Sequence, residues 1–177
     1  LEREARGDTW AIAEILPRRS RLARRAPGGA YGERIVAANV DQVVVVFAAA
    51  HPTPNARMLD RFLVIAAAND VPSRIVINKV DLVGGDPLAP FAAYARAGYP
   101  LHATSVVPRV GLEELHAALR GMVSAFTGPS GAGKSSLLNA MYPGLNLRVG
   151  EISRSVDKGR HTTVGATMHP LPDGGYV

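Results

Sequence analysis

From Val43 to Ala49 the chain is valine, phenylalanine and alanine with no polar residue between them. A run of that kind predicts a strand buried on both faces, the mark of a central parallel sheet. After His51-Pro52-Thr53-Pro54, apolar residues recur at Leu59, Phe62, Leu63 and Ala66, which is the spacing of one helical face, so a helix is expected from Ala56 to Asn69. Val71-Pro72 stops it. Arg74 to Ile77 reads as the next strand, Pro87 to Ala97 as a helix with Gly98 as its C-terminal cap, and Leu101 to Ala103 as a third, short strand. Leu112 to Arg120 is again helical and closed by Gly121. Met122 to Thr127 predicts a further buried strand, and Ser135 to Met141 a helix. The repeated rhythm of strand and helix argues for an α/β fold with a mainly parallel sheet.

The flanks have a different texture. Residues 1–34 are polar and Arg-rich, with one strand candidate from Trp10 to Leu16 and loop signals at Pro17 and Pro27-Gly28-Gly29. They are too short to bury a core of their own, and read as an appendage or as the tail of a small β domain that ends near residue 34. Pro143 to Gly165 has few periodic apolar residues, as a mobile loop would. Thr167 to Leu171, Pro172-Asp173-Gly174-Gly175 and Tyr176-Val177 predict a hairpin whose second strand is cut short.

Composition narrows the classes. With 177 residues, 47% hydrophobic and 20% charged, the chain is that of a folded domain rather than a disordered one. No apolar run approaches a membrane span and no signal-peptide layout opens the chain, so the cytoplasm is the expected compartment. The absence of cysteine excludes a disulfide framework and a cysteine-ligated zinc site within these residues, and five scattered histidines give no metal-ligand spacing. A net charge of +5 favours an anionic partner. Arg18, Arg19, Arg21, Arg24 and Arg25 have no acid among them, which fits either a nucleic-acid contact or a solvated basic loop.

Two motifs carry chemistry. Gly128-Pro129-Ser130-Gly131-Ala132-Gly133-Lys134-Ser135-Ser136 reads as G-x-x-x-x-G-K-S between an apolar strand and a helix, the context a phosphate-binding loop requires. Its glycines let backbone N–H groups converge on phosphate oxygens at the positive end of the following helix. Lys134 would reach the terminal phosphates and the Ser135 hydroxyl would ligate magnesium. The second motif, Asn78-Lys79-Val80-Asp81, is N-K-x-D at the C-terminal end of a strand, where α/β proteins place ligand contacts. An ionised Asp81 accepts from the ring N–H and exocyclic amine of guanine, which adenine does not offer in that arrangement. Asn78 would contact the base edge or brace the neighbouring loops, and the Lys79 stem would lie across the ring. Thr104-Ser105-Val106, between a strand and a helix, stands where a backbone N–H meets the guanine carbonyl.

The order of these motifs is distinctive. N-K-x-D and Thr104 to Val106 precede the phosphate loop, the reverse of ordinary GTPases. That order, with Leu16-Pro17-Arg18-Arg19-Ser20, Asn78-Lys79-Val80-Asp81-Leu82 and Lys158-Gly159-Arg160-His161-Thr162-Thr163, resembles the RsgA (YjeQ/YloQ) family of circularly permuted GTPases of small-ribosomal-subunit biogenesis. The resemblance runs over essentially the whole chain.

It implies a GTP-binding and GTP-hydrolysing factor of late small-subunit maturation, with GTP or GDP and Mg2+ as ligands. Lys134, Ser135 and Thr163 would carry catalysis, Ser135 with Thr162 or Thr163 would hold Mg2+, and Arg160 and His161 would contact phosphate, contact RNA alongside the arginines above, or simply be solvated. It also implies an OB-fold β-barrel ending at about residue 34, a permuted GTPase domain over 35–177, an Asp-x-x-Gly loop after Tyr176-Val177, and a zinc site only in a C-terminal domain beyond these residues. The expected partner is the small subunit with its rRNA, and the expected state a monomer with slow intrinsic hydrolysis. Two other readings stay open: a nucleotide-gated rRNA-binding module in which hydrolysis is incidental, and a phosphate-loop ATPase with a chance N-K-x-D.

Overall fold

All seven residues of the strand Gln42–Ala48 are buried, which obliges the protein to cover both faces of the sheet that holds it. A computed structural model describes residues 2–3, 10–11, 14, 17–25, 33–149 and 167–177. Within them the strands are β1 (Glu2–Arg3), β2 (Trp10–Ala11), β3 (Arg21–Arg25), β4 (Glu33–Ala38), β5 (Gln42–Ala48), β6 (Ser73–Asn78), β7 (Leu101–Ala103) and β8 (Ser124–Thr127). The helices are α1 (Ala56–Ala67), α2 (Ala92–Arg96), α3 (Leu112–Leu119) and α4 (Lys134–Met141). The central sheet has the order β7-β6-β5-β8, and every pair in it is parallel.

Alternation along β5 decides which layer packs where. Val43, Val45 and Phe47 join Leu59, Leu63 and Ala66 of α1 on one face. Val44 and Val46 join Leu112, Leu115 and Leu119 of α3 and Leu137 and Leu138 of α4 on the other. Each large apolar side chain so buried contributes about 1.5–3 kcal/mol of transfer free energy. The helix-sheet-helix layering is therefore a direct consequence of a strand with no polar face.

Several elements depart from the pattern-based expectations. The helix expected over 87–97 is a 3-10 turn at Ala89–Phe91 followed by the five-residue α2; Pro90 has no N–H to give an α-helical ladder. Of the strand candidate from Trp10 to Leu16, the described residues show a strand at Trp10–Ala11, paired with Glu2–Arg3, and Glu14 lies outside it. The expected terminal hairpin consists of single bridges, Pro170 to Tyr176 antiparallel and Val123 to Tyr176 parallel. Tyr176 thereby extends the sheet beyond β8. Its N–H donates to Met122 O (2.9 Å), and Ser124 N donates back to Tyr176 O (2.8 Å).

Of the clustered arginines, Arg21, Arg24 and Arg25 lie on a strand, while Arg18 and Arg19 lie in the segment before it. β3 pairs antiparallel with β4, from Arg21 opposite Ala38 to Arg25 opposite Glu33. The boundary drawn near residue 34 thus falls inside a strand. Leu22 and Ala37 pack against the α1 face of the core, and Asn69 acts as a surrogate strand partner. Its Oδ1 accepts from Ala23 N (3.2 Å), and its Nδ2 donates to Ala23 O (3.2 Å) and Ile65 O (2.7 Å). Asn69 follows α1, and Asn39, which precedes β5, accepts from Arg19 N (2.8 Å). The hairpin therefore sits by the N-terminal ends of the sheet strands.

A polar chain crosses the sheet near that same end. Gln42 donates through Nε2 to Ser124 Oγ (2.9 Å) and to Ala118 O of α3 (3.0 Å), and accepts from Arg74 Nε (2.7 Å). Arg74 Nη1 is 2.8 Å from His102 Nε2. A guanidinium only donates, so His102 Nε2 accepts and the imidazole is the neutral Nδ1–H tautomer. Its Nδ1 faces Glu114 Oε1 at 3.6 Å. Burial first, then the Arg74 charge, hold His102 below the ordinary imidazole value, and Glu114 partly offsets them.

A histidine depressed in the folded state binds its proton more readily when unfolded, so its neutral form supports the fold above the unfolded value and that support is lost as the pH falls. The melting temperature is expected to drop on acidification, starting near the ordinary imidazole value of about 6.5. His102→Gln, which keeps an acceptor for Arg74 and cannot titrate, should flatten that drop between neutral pH and about pH 5.5. Equal slopes in the two proteins would show that His102 is not the group responsible.

Candidate functional site

Parallel pairing brings four strand ends to one edge. Ala48 is in register with Asn78, Ile77 with Ala103, and Val45 with Thr127. The loops that follow β5, β6, β7 and β8 therefore meet at the C-terminal edge, where open α/β sheets bind ligands. Both motifs lie there.

The phosphate loop joins β8 to α4. Gly128 has φ 136°, and a Cβ on it would run into the Val46 carbonyl. Gly133 has φ 90°, and a Cβ there would lie 2.5 Å from Asn78 Nδ2. Only glycine fits at these two positions. Ala132 is buried beneath the loop with the α4 residues Leu137 and Leu138, while Pro129 and Ser130 form its rim. None of the N–H groups of Gly131, Gly133 and Lys134 donates to a described residue. Such converging amides at a helix N-terminus form a cradle for an anion. Lys134 folds back over the loop and donates through Nζ to Gly128 O and Pro129 O, each at 2.9 Å. Burial pushes its ammonium below the ordinary lysine value, and a phosphate in the cradle would supply it with a counter-charge. Ser135 and Ser136 stand half-buried in the first turn of α4, and a hydroxyl beside phosphate oxygens is the hard donor set that Mg2+ takes.

Asn78 joins the two motifs. It is 1% exposed and ends β6, and its amide is used at both ends. Nδ2 donates to Ala132 O of the phosphate loop (3.0 Å), and Oδ1 accepts from Thr104 Oγ1 (3.2 Å). The next residues turn sharply: Lys79 has φ 61° and caps a 3-10 turn, Val80–Leu82. Asp81 in that turn accepts through Oδ1 from the buried Ser105 hydroxyl. Val80 N donates to Thr104 O (3.2 Å) and Thr104 N to Ile77 O (2.8 Å), so the loops after β6 and β7 are stitched together. Ser105 exchanges both backbone hydrogen bonds with Val110, each at 3.0 Å. Its N–H is thus committed, whereas that of Val106 meets no acceptor among the described residues.

The arrangement can hold a planar base with paired donors against Asp81, a carbonyl at Val106 N–H, and a polyphosphate over Gly128 to Ser136. Asn78, Lys79, Asp81, Thr104, Ser105 and Val106 are brought together with the phosphate loop. Thr162, Thr163, Arg160 and His161 lie outside the described residues. Arg18, Arg19 and Arg21 are exposed at the hairpin end of the sheet, away from this edge, and Arg24 and Arg25 lie on the same strand β3. Pattern reading missed the Ser105–Asp81 hydrogen bond and the contact of Lys79 Nζ with His51 O (2.5 Å); only a serine after the third strand hinted at the first, and nothing local signals the second.

The family model for RsgA GTPase matches residues 15–177. The chain is 61% identical over 171 residues to the small ribosomal subunit biogenesis GTPase RsgA of Gemmatimonas aurantiaca, covering 96% of this chain and 56% of that protein. To the protein of the same name from Moorella thermoacetica it is 44% identical over 166 residues, covering 94% and 54%. The chain therefore spans about half the length of these relatives. Among solved structures, YjeQ from Thermotoga maritima superposes with a TM-score of 0.69 at 36% identity, covering 92% of this chain and 51% of that one. YloQ, described as a circularly permuted GTPase, superposes with a TM-score of 0.55 at 36% identity, covering 74% and 44%. With the N-K-x-D strand ahead of the phosphate loop in the chain and beside it in space, the fold is that of a circularly permuted GTPase, and the chain belongs to the RsgA GTPase family.

Proposed function

We propose that this chain binds and hydrolyses GTP, as the nucleotide-handling part of a factor that acts in biogenesis of the small ribosomal subunit. The observation that carries the nucleotide reading is the Asn78 amide, hydrogen-bonded at once to the phosphate loop and to Thr104, with the Asp81–Ser105 pair beside it. The biological setting rests on relatives named small ribosomal subunit biogenesis GTPase.

In this reading Asp81 selects guanine, held in line by Ser105, and Val106 N–H meets the base carbonyl. Asn78 braces the loops and Lys79 lies along the ring. Gly128 to Ser136 wrap the phosphates, and Lys134 exchanges its two loop carbonyls for phosphate oxygens. Mg2+ would be held by Ser135 together with Thr162 or Thr163, and supplies charge neutralisation on the phosphates. Lys134, Ser135 and Thr163 are the assigned catalytic set. Phosphoryl transfer needs positioning and charge more than covalent help, and the chain offers no water-orienting base among the motif residues, so hydrolysis is slow until the ribosomal partner completes the site. The basic strand β3 with Arg18 and Arg19, at the opposite end of the sheet, is the surface assigned to rRNA, with Arg160 and His161 as further contacts. Residues 1–34 as the end of an OB-fold, 35–177 as the GTPase domain, a monomeric state, a cytoplasmic location and a zinc-binding domain further along the protein belong to the same proposal. Among the described residues no helix is long and apolar enough to cross a membrane.

Calorimetric titration separates this from an ATPase: GDP should bind, and ATP should bind at least about a thousandfold more weakly, since a site of buried hydrogen-bonding groups rejects the wrong base strongly. Asp81→Asn should abolish that preference and Lys134→Ala should remove hydrolysis. Equal affinity for ATP would remove the GTPase reading. For the basic surface, replacing Arg18, Arg19 and Arg21 by Gln should weaken binding to small subunits and make it less salt-dependent, the log-log slope falling by up to about one unit for each phosphate that is no longer neutralised. An unchanged slope would move the RNA surface elsewhere.

A further inference from the structure

The turn after β5 is tied to the nucleotide motifs at three places, although its own sequence, His51-Pro52-Thr53-Pro54, carries none of them. Ala49 N donates to Asn78 O (2.7 Å). His51 O accepts from Lys79 Nζ at 2.5 Å. Pro52 Cδ lies 3.4 Å from where a Cβ on Gly131 would stand, so the proline ring backs the phosphate loop. At its far end the turn is pinned by Asn55, whose Oδ1 accepts from Met58 N (3.2 Å) as the N-cap of α1. His51 itself is exposed and has φ 50°. A non-glycine residue in left-handed backbone costs free energy, and here that conformation is what aims its carbonyl at the lysine.

We infer that His51-Pro52 is a positioning element of the nucleotide site: its carbonyl fixes the Lys79 ammonium, and so lays the lysine stem along the base, while its proline supports Gly131. This rests on the GTP reading above and adds a wall that the motifs do not contain. A flexible lysine would lose several rotatable bonds each time a base bound beneath it; a stem already held at both ends has less freedom left to lose. The contribution should appear in ground state and transition state alike, because the base does not change during hydrolysis.

The test exploits the backbone conformation. His51→Val places a β-branched residue where φ is positive, which swings the carbonyl away, whereas His51→Gly adopts that conformation freely. In the intact protein, GDP affinity by calorimetry should fall up to about tenfold in His51→Val and return to within about twofold in His51→Gly, tenfold being the upper end of the cost of immobilising one rotamer-rich side chain on binding. KM for GTP should rise with kcat nearly unchanged. Lys79→Met should lose a similar amount, and adding His51→Val to it should lose nothing more. If the losses of His51→Val and Lys79→Met add in full, or His51→Val binds as tightly as the parent, the turn is only a connection. Failure of the parent itself to bind GDP would instead overturn the nucleotide reading.

Discussion

The site depends on one side-chain amide held in a dry place. Asn78 is almost wholly buried, and leaving either end of its amide unpaired there would cost about 1–3 kcal/mol. It escapes that cost only while the phosphate loop offers Ala132 O and the loop after β7 offers Thr104 Oγ1. Three loops that are far apart in sequence are thereby held in one geometry. Gly133 has to be glycine for the same reason, since a side chain there would take the space of the amide. The parallel register of β5, β6, β7 and β8 puts these loops at one edge, and the amide turns proximity into a fixed arrangement.

Permutation follows naturally from this dependence. Hydrogen bonds act through space, so joining the strands in another order leaves the edge and its ties unchanged. What the order changes is which segment leaves the site last. Here that segment returns from outside the described residues as 167–177 and pairs beside β8 through Tyr176. It is anchored on α3 and the residue that follows it: His116 Nε2 lies 3.0 Å and Arg120 Nε 3.7 Å from Asp173 Oδ2. The other end of the sheet is organised differently, by the Gln42-Arg74-His102 chain and by the basic hairpin clasped through Asn69. One edge presents amides and a lysine to an anion, and the other presents arginines.

Much of the fold was legible because β5 lacks a polar face and α1 and α3 have clear apolar stripes; those patterns leave few alternatives. Short elements were not. Arg21–Arg25 reads as polar because its arginines outnumber Leu22 and Ala23, and a register shift between those two breaks the alternation, so that Arg21 is exposed and Ala23 buried; its strand partner also lies across residues rich in Gly and Pro. The shortened α2 reflects Pro90, a local signal outweighed by the surrounding alanines. In the site, both motifs were legible and fall at one edge of the sheet, since a glycine-rich strand-to-helix turn and a strand-ending N-K-x-D are local signatures. The ties between loops are long-range: Asn78 to Ala132, Ser105 to Asp81 and Lys79 to His51 follow from strand register, which no single stretch encodes.

The claim that Asn78 holds the phosphate loop in place is tested most directly by amide hydrogen exchange in the nucleotide-free protein. Asn78→Ala should speed exchange of the Ala132 and Leu137 amides, which donate to Pro129 O and Gly133 O of the phosphate loop, and of the loop after β7, while the amides of β5 keep their protection. Unchanged protection of the phosphate loop in that variant would contradict the account.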